Sequence, residues 1–275
     1  HPELKFDDII EPGSLPKLRN KAKLVAIPST SGTASEITAF SVITDTKKHI
    51  KYPLVSTEMI PDIAILDPAL PAKMPKHITA NTGMDVLAHA IEAYVSTAAS
   101  PYTDALAIQA IKLVLENIVT AYEHGDNMEA RNNMHNASAL AGMAFTNASL
   151  GLIHSLAHKI GGEFGITHGL TNAILLPYII QFNRKSTDKV SKLEKDLGIE
   201  NLSSCIKELN EKLDIPLNFK DVTEVDMNED KFKEVLVRMS ENAYNDPCTA
   251  TNPRESDPKI VEMIYTSAYY GKDID

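Results

Sequence analysis

Asp85 and His89 stand four residues apart in Asn81-Thr82-Gly83-Met84-Asp85-Val86-Leu87-Ala88-His89-Ala90-Ile91-Glu92-Ala93-Tyr94. On a helix, that spacing puts a carboxylate and an imidazole on one face, about one turn apart. His154 and His158 repeat the spacing in Leu152-Ile153-His154-Ser155-Leu156-Ala157-His158, and His168 follows the Gly161-Gly162 pair. Their neighbours are apolar, including Ala88, Ala90, Ile91, Leu152, Ile153, Leu156 and Ala157. A carboxylate or imidazole in such surroundings loses hydration, and an unpaired buried charge is costly. A shared cation offsets that cost. One carboxylate with several imidazoles suits Fe(II) or Zn(II) better than Mg or Ca, and a catalytic ion needs one position open to solvent or substrate. One Asp/His pair alone also arises as an ordinary surface contact, and a lone histidine is commonly a packed core residue. Two pairs plus His168 carry the metal reading. His1, His49, His77, His124 and His135 are read as structural, His124 because a helix C-terminus favours a cation. Spacing alone does not choose between His154 and His158 as the ligand.

The elements that must position these side chains change character near residue 70. Before it, short β-branched or apolar runs at 24–27, 40–44 and 63–66, each bounded by Pro, Gly or Asp, read as strands. After it the pattern is helical. Asn81 to Tyr94 forms one helix, and Ser100-Pro101 opens another with Leu106, Ile108, Ile111, Leu115 and Ile118 at three- and four-residue spacing, closing at His124-Gly125. Further helices are predicted at 132–145, 150–161, 169–182, 187–197, 202–213, 230–240 and 258–270, the last with Asp257 as its N-cap. The acidic stretch 221–230 reads as a solvated loop.

Composition narrows the partners. With 275 residues, 43% apolar and 23% charged, the chain is long enough to bury a core. A net charge of −10 repels nucleic-acid phosphate and anionic lipid, so neither is expected as a partner. The longest apolar stretch, 173–180, contains Pro177 and falls well short of the roughly 20 residues a membrane helix needs. The first residues lack the pattern of a secretory signal, so a cytoplasmic protein is expected. Cys205 and Cys248, far apart and without a CxxC pattern, read as reduced structural thiols. A start at His1 hints at a preceding segment.

These stretches together resemble the iron-containing, or group III, alcohol dehydrogenases. The resemblance rests on Ile27-Pro28-Ser29-Thr30-Ser31-Gly32-Thr33-Ala34-Ser35-Glu36, on Asp67-Pro68, on 81–94, on 151–168 and on Thr251-Asn252-Pro253-Arg254. It implies a mainly α fold: a multi-helical metal-binding domain over 71–275, preceded by a short α/β remnant of a Rossmann-like nucleotide-binding domain over 1–70. It also implies the ligand set Asp85, His89, His154 and His168, with His158 beside nicotinamide and substrate as the catalytic residue. Thr30, Ser31, Thr33 and Ser35 resemble a nucleotide-contacting loop, and Lys51 resembles a lysine near the nicotinamide ribose. The family's Gly-Gly-Gly-Ser pyrophosphate loop has no counterpart among the 12 glycines. Absence of that half would expose sheet edge or apolar surface before residue 70, which predicts association into a homo-oligomer or local disorder over residues 1–70.

The implied chemistry is hydride transfer between a small primary alcohol or aldehyde and NAD or NADP, aided by Fe(II) or by Zn(II). Two other readings use the same residues. A metallohydrolase could activate water with the Asp/His set, leaving the Ser29 to Glu36 loop and Lys51 without a role. A helical metal-binding or dimerising module without activity is the other.

Overall fold

The computed structural model describes residues 3, 5–9, 14–45 and 50–274. A short helix, α1 (Phe6–Ile9), precedes two separate two-stranded sheets. Strand β1 (Val25–Ala26) pairs in parallel with β4 (Ile63–Ala64), Val25 opposite Ile63. Strand β2 (Phe40–Asp45) pairs antiparallel with β3 (Ile50–Val55), from Phe40 opposite Val55 to Asp45 opposite Ile50. The three runs predicted as strands are found. β3 escapes sequence reading because Pro53 sits in its middle, and proline normally argues against a strand. It is tolerated because in a two-stranded ribbon each strand has an edge without a ladder partner. The β1–β4 ribbon leaves apolar side chains uncovered: Val25 is 44%, Ile27 51%, Ile63 45% and Ile65 44% exposed. Parallel strands are ordinarily covered on both faces.

The remainder is helical, so the fold is mainly α with a small α/β portion at its start. Helix α2 (Lys76–Val95) is its axis, packed by α3 (Pro101–Glu123), α4 (Met128–Ala148) and α6 (His168–Asn183). Its residues from Met84 to Val95 are all buried, which is how a helix enclosed by its neighbours presents itself. Small residues let the backbones approach: a Cβ on Gly83 would meet Ile118 Cδ1 at 2.6 Å. α3 opens on a reciprocal cap between Ser100 and Thr103, with Pro101 at its first position. By length and composition α3 could span a bilayer, but Ala107, Ala110, Ile111, Val114, Ile118 and Ala121 are buried in the core.

Helix α5 (Leu152–Phe164) runs through Gly161-Gly162 rather than stopping there. Two helical glycines cost about 1 kcal/mol each relative to alanine, which burial of the preceding turns at Leu152, Ile153, Leu156, Ala157 and Ile160 offsets. Gly165, at φ +75°, closes the helix in the left-handed conformation. Helix α6 likewise continues through Pro177. Lacking an N–H, Pro177 leaves the Ala173 carbonyl four residues earlier without its helical partner. Asn210 Nδ2 donates to that carbonyl at 2.8 Å, and Ser203 Oγ donates to the Pro177 carbonyl at 3.0 Å. Both come from α8 (Leu202–Lys212), which is thereby registered against α6. Helices α7 (Lys189–Leu197), α9 (Glu229–Tyr244) and α10 (Pro258–Tyr270) complete the domain. Asp257 caps α10 as expected, accepting from the Ile260 N–H at 2.8 Å.

One close approach bears directly on the site. A Cβ on Gly169 would lie 2.2 Å from the Asn81 carbonyl oxygen, so the start of α6 is pressed on the backbone of α2. Neither backbone can yield locally. Gly169→Ala is expected to destabilise the chain by about 1–3 kcal/mol and to shift His168 away from α2. Thermal unfolding checks this, and an unchanged midpoint would show that the two helices do not meet so closely.

Candidate metal centre

Three helices meet at Asp85. The carboxylate and His89 come from α2, His154 from α5, and His168 is the first residue of α6. Asp85 Oδ1 lies 3.6 Å from His154 Nε2 and 3.6 Å from His168 Nε2, and Oδ2 lies 3.9 Å from His89 Nδ1. The His89 and His154 rings stack with centroids 4.4 Å apart, and His154 and His168 are at 5.2 Å. Asp85, His89 and His154 form a compact buried triad with donor atoms within 4.8 Å of one another. His168 stands at the open side, its side chain 40% exposed.

The electrostatics follow from burial. Burial alone would push the Asp85 carboxyl up, but His89, His168 and His154 hold it well below the usual carboxylate range. It is an anion at neutral pH. Burial lowers His89 to about 3 against the pull of Asp85, so that imidazole is neutral and offers a lone pair. Its Nδ1 is buried without a hydrogen-bond partner among the described residues. His154 behaves differently: burial opposes its charge, but the Glu92 and Asp85 carboxylates raise it to about 9. The pair of carboxylates demands a positive charge at that imidazole. A proton or a metal ion on Nε2 answers the same demand, and each excludes the other.

His158, one turn further along α5, faces a second group. Its Nδ1 is 3.1 Å from Asp246 Oδ2, and Lys159 Nζ donates to the same oxygen at 2.7 Å. Burial pushes the Asp246 carboxyl up, and His158 and Lys159 more than reverse this, holding it well below the usual range. The His158 ring lies parallel to that of His168, centroids 5.5 Å apart, with its side chain 36% exposed. Cys248 is close by, its thiol driven well above its ordinary pKa by burial and so kept protonated.

The loop of hydroxyls divides in two. Ser31 is 2% exposed and its Oγ lies 2.9 Å from His135 Nδ1, tying the loop to α4. Thr33 and Ser35 are exposed and hydrogen-bonded to each other at 2.9 Å, and Thr30 is half-buried. A shallow depression beside them is lined by Leu18, Arg19, Lys23, Ser35, Thr38 and Phe40, among others. Lys51 lies on β3 opposite Thr44, and its side chain is outside the described residues.

Three participants escape the sequence reading. Glu92 lies 2.6 Å from His154 Nδ1, Asp246 contacts His158, and Asn172 Nδ2 sits 2.6 Å from Asp85 Oδ1, 3.2 Å from His154 Nε2 and 3.1 Å from His168 Nε2. Helical spacing carries a signal for two of them: Glu92 extends the Asp85–His89 face by another turn, and Asn172 is four residues after His168. Asp246, in a turn before Pro247, has no such signal.

The family model for iron-containing alcohol dehydrogenase matches residues 3–68, and that for the Fe-containing alcohol dehydrogenase family, C-terminal, matches 79–269. An NADPH-dependent butanol dehydrogenase of Clostridium saccharobutylicum is 50% identical over 100% of this chain and 72% of its own length. An aldehyde-alcohol dehydrogenase of Streptococcus pneumoniae is 41% identical over 98% of this chain but only 34% of its own length. Among solved structures, an iron-containing alcohol dehydrogenase from Thermococcus thioreducens superposes with a TM-score of 0.88 at 40% identity, over 98% of this chain and 72% of that one. Helix-borne donors converging on one carboxylate, together with matches running nearly end to end, mean that the chain belongs to the iron-containing alcohol dehydrogenase family, whose members are alcohol and aldehyde oxidoreductases.

Proposed function

We propose that Asp85, His89, His154 and His168 hold one divalent ion, and that the chain interconverts a small primary alcohol and its aldehyde with NAD or NADP. The observation that carries this is a single carboxylate with a ring nitrogen from each of three histidines 3.6–3.9 Å away. The orphaned His89 Nδ1 and the carboxylate-driven demand for charge at His154 fit a cation. The donor chemistry suits Fe(II), the ion of the family name, and also Zn(II).

When bound, the ion supplies Lewis acidity toward an alcohol or carbonyl oxygen and the nicotinamide supplies the hydride chemistry. The chain's own residues orient, shield and move the proton. Asp85, His89 and His154, each at most 5% exposed, exclude water from the inner side. His168 and His158 face the open side, where substrate would enter. Asp246 accepts from Nδ1–H of His158, which leaves Nε2 as the atom that takes the alcohol proton and passes it to solvent. On this reading residues 1–70 belong to the dinucleotide-binding domain, with Thr30, Thr33, Ser35 and Lys51 toward the cofactor and Ser31 anchoring their loop, and 71–275 form the catalytic domain.

The test is nicotinamide absorbance. Fe(II)-loaded chain is expected to consume NADH or NADPH with butanal, chosen because the 50% identical relative is named a butanol dehydrogenase. Ester or amide hydrolysis without nicotinamide turnover would instead favour the water-activating reading of the same residues.

A further inference from the structure

Glu92 is buried, at 2% exposure, three residues beyond His89 on α2. Both of its carboxylate oxygens are committed to α5. Oε1 accepts from the Ile153 backbone N–H at 2.6 Å, and Oε2 lies 2.6 Å from His154 Nδ1. The first turn of α5 needs such a group, because its N-cap is Gly151, which has no side chain to offer its free N–H groups. Gly151 is also what admits the carboxylate, since a Cβ there would meet Glu92 Oε1 at 2.9 Å.

The geometry points to Glu92 as a positioning residue of the metal centre, one that sets the tautomer and ring orientation of His154 while capping the helix that carries it. A carboxylate only accepts hydrogen bonds, so the partner atom Nδ1 must bear the hydrogen, and Nε2 is left as the ring atom that takes either a proton or an ion. Nε2 is the nitrogen that looks toward Asp85, 3.6 Å away. Contacts of this kind orient imidazole ligands and raise their basicity. His158, whose Nδ1 meets Asp246 instead, is turned to a different environment. This inference rests on the reading of the four-residue metal centre.

Glu92→Gln separates the tautomeric role from packing. The amide has nearly the same volume but one acceptor and one donor, where Ile153 N–H and His154 Nδ1–H both require acceptors. With its oxygen on Ile153, its N–H₂ group faces Nδ1 and drives the imidazole hydrogen to Nε2, where it blocks a cation. Zn2+ affinity, measured on the purified chain by competition with a chromophoric chelator, is expected to fall about 10- to 100-fold while far-UV helicity is kept. Long-range 1H–15N spectra of the Zn2+-loaded wild type are expected to show His154 as the Nδ1–H tautomer, a readout that does not depend on how the variant folds. A folded Glu92→Gln chain binding Zn2+ within about twofold of wild type, or an Nε2–H tautomer in the wild type, overturns the assignment. A wild-type chain that takes up no stoichiometric Zn2+ removes the metal centre itself, and this role with it.

Discussion

Asp85→Ala is expected to leave the purified chain without its ion. Asp85 is the one carboxylate among the proposed ligands, and it sits within 3.9 Å of a nitrogen of all three imidazoles. Without it the buried cation would face neutral donors in surroundings that solvate charge poorly. Removing one member of a buried charge pair costs about 3–5 kcal/mol, or roughly two to four powers of ten in affinity. Elemental analysis of wild type and variant reads this directly. A second measurement distinguishes loss of the ion from loss of the fold: a chelator should lower the thermal midpoint of the wild type, because the ion binds only the folded chain, and should leave the variant's midpoint unmoved. An Asp85→Ala chain that keeps a stoichiometric ion would show that the centre lies elsewhere.

His158→Ala is expected to cut turnover by roughly 10²- to 10⁴-fold, the range for loss of a positioned acid–base group, with metal content unchanged. The His158 ring centroid is 6.1 Å from that of His154 and 5.5 Å from that of His168, so it borders the ligands on their open side. Its Nδ1 is taken by Asp246, which itself is held by Lys159 at 2.7 Å. Asp246→Asn should therefore reduce turnover less than His158→Ala does, since it loosens the ring without removing it. Loss of the ion in His158→Ala would move this histidine into the ligand set and give the proton to another group.

Much of the architecture is legible in the residues because it is local. The capped α3, the Asp257 cap of α10 and the one-turn spacing of Asp85 and His89 follow from backbone sterics and periodicity within a few residues. Where the reading erred, a rule about single residues was outweighed by packing. Pro53 is accommodated in a two-stranded ribbon and Gly161-Gly162 lies inside α5, whereas the expected passage of α6 through Pro177 is found, with Asn210 repairing the carbonyl it frees. None of these compensations is encoded near the residue it rescues.

From the amino-acid sequence alone came the donor types, their pairing on helix faces, and the apolar surroundings that make a shared cation favourable. Spacing leaves His154 and His158 equivalent; the family resemblance gives them different roles, and tertiary structure supplies a physical difference between them. Each imidazole takes its orientation from a carboxylate far along the chain, Glu92 at 62 residues' separation for one and Asp246 at 88 for the other. The approach of His168 to Asp85 is equally non-local, since it depends on α6 lying against the Asn81 backbone at Gly169. Which nitrogen is free to accept a cation or a proton is thus a property of packed helices, because a hydrogen bond depends on distance in space and not on separation in sequence.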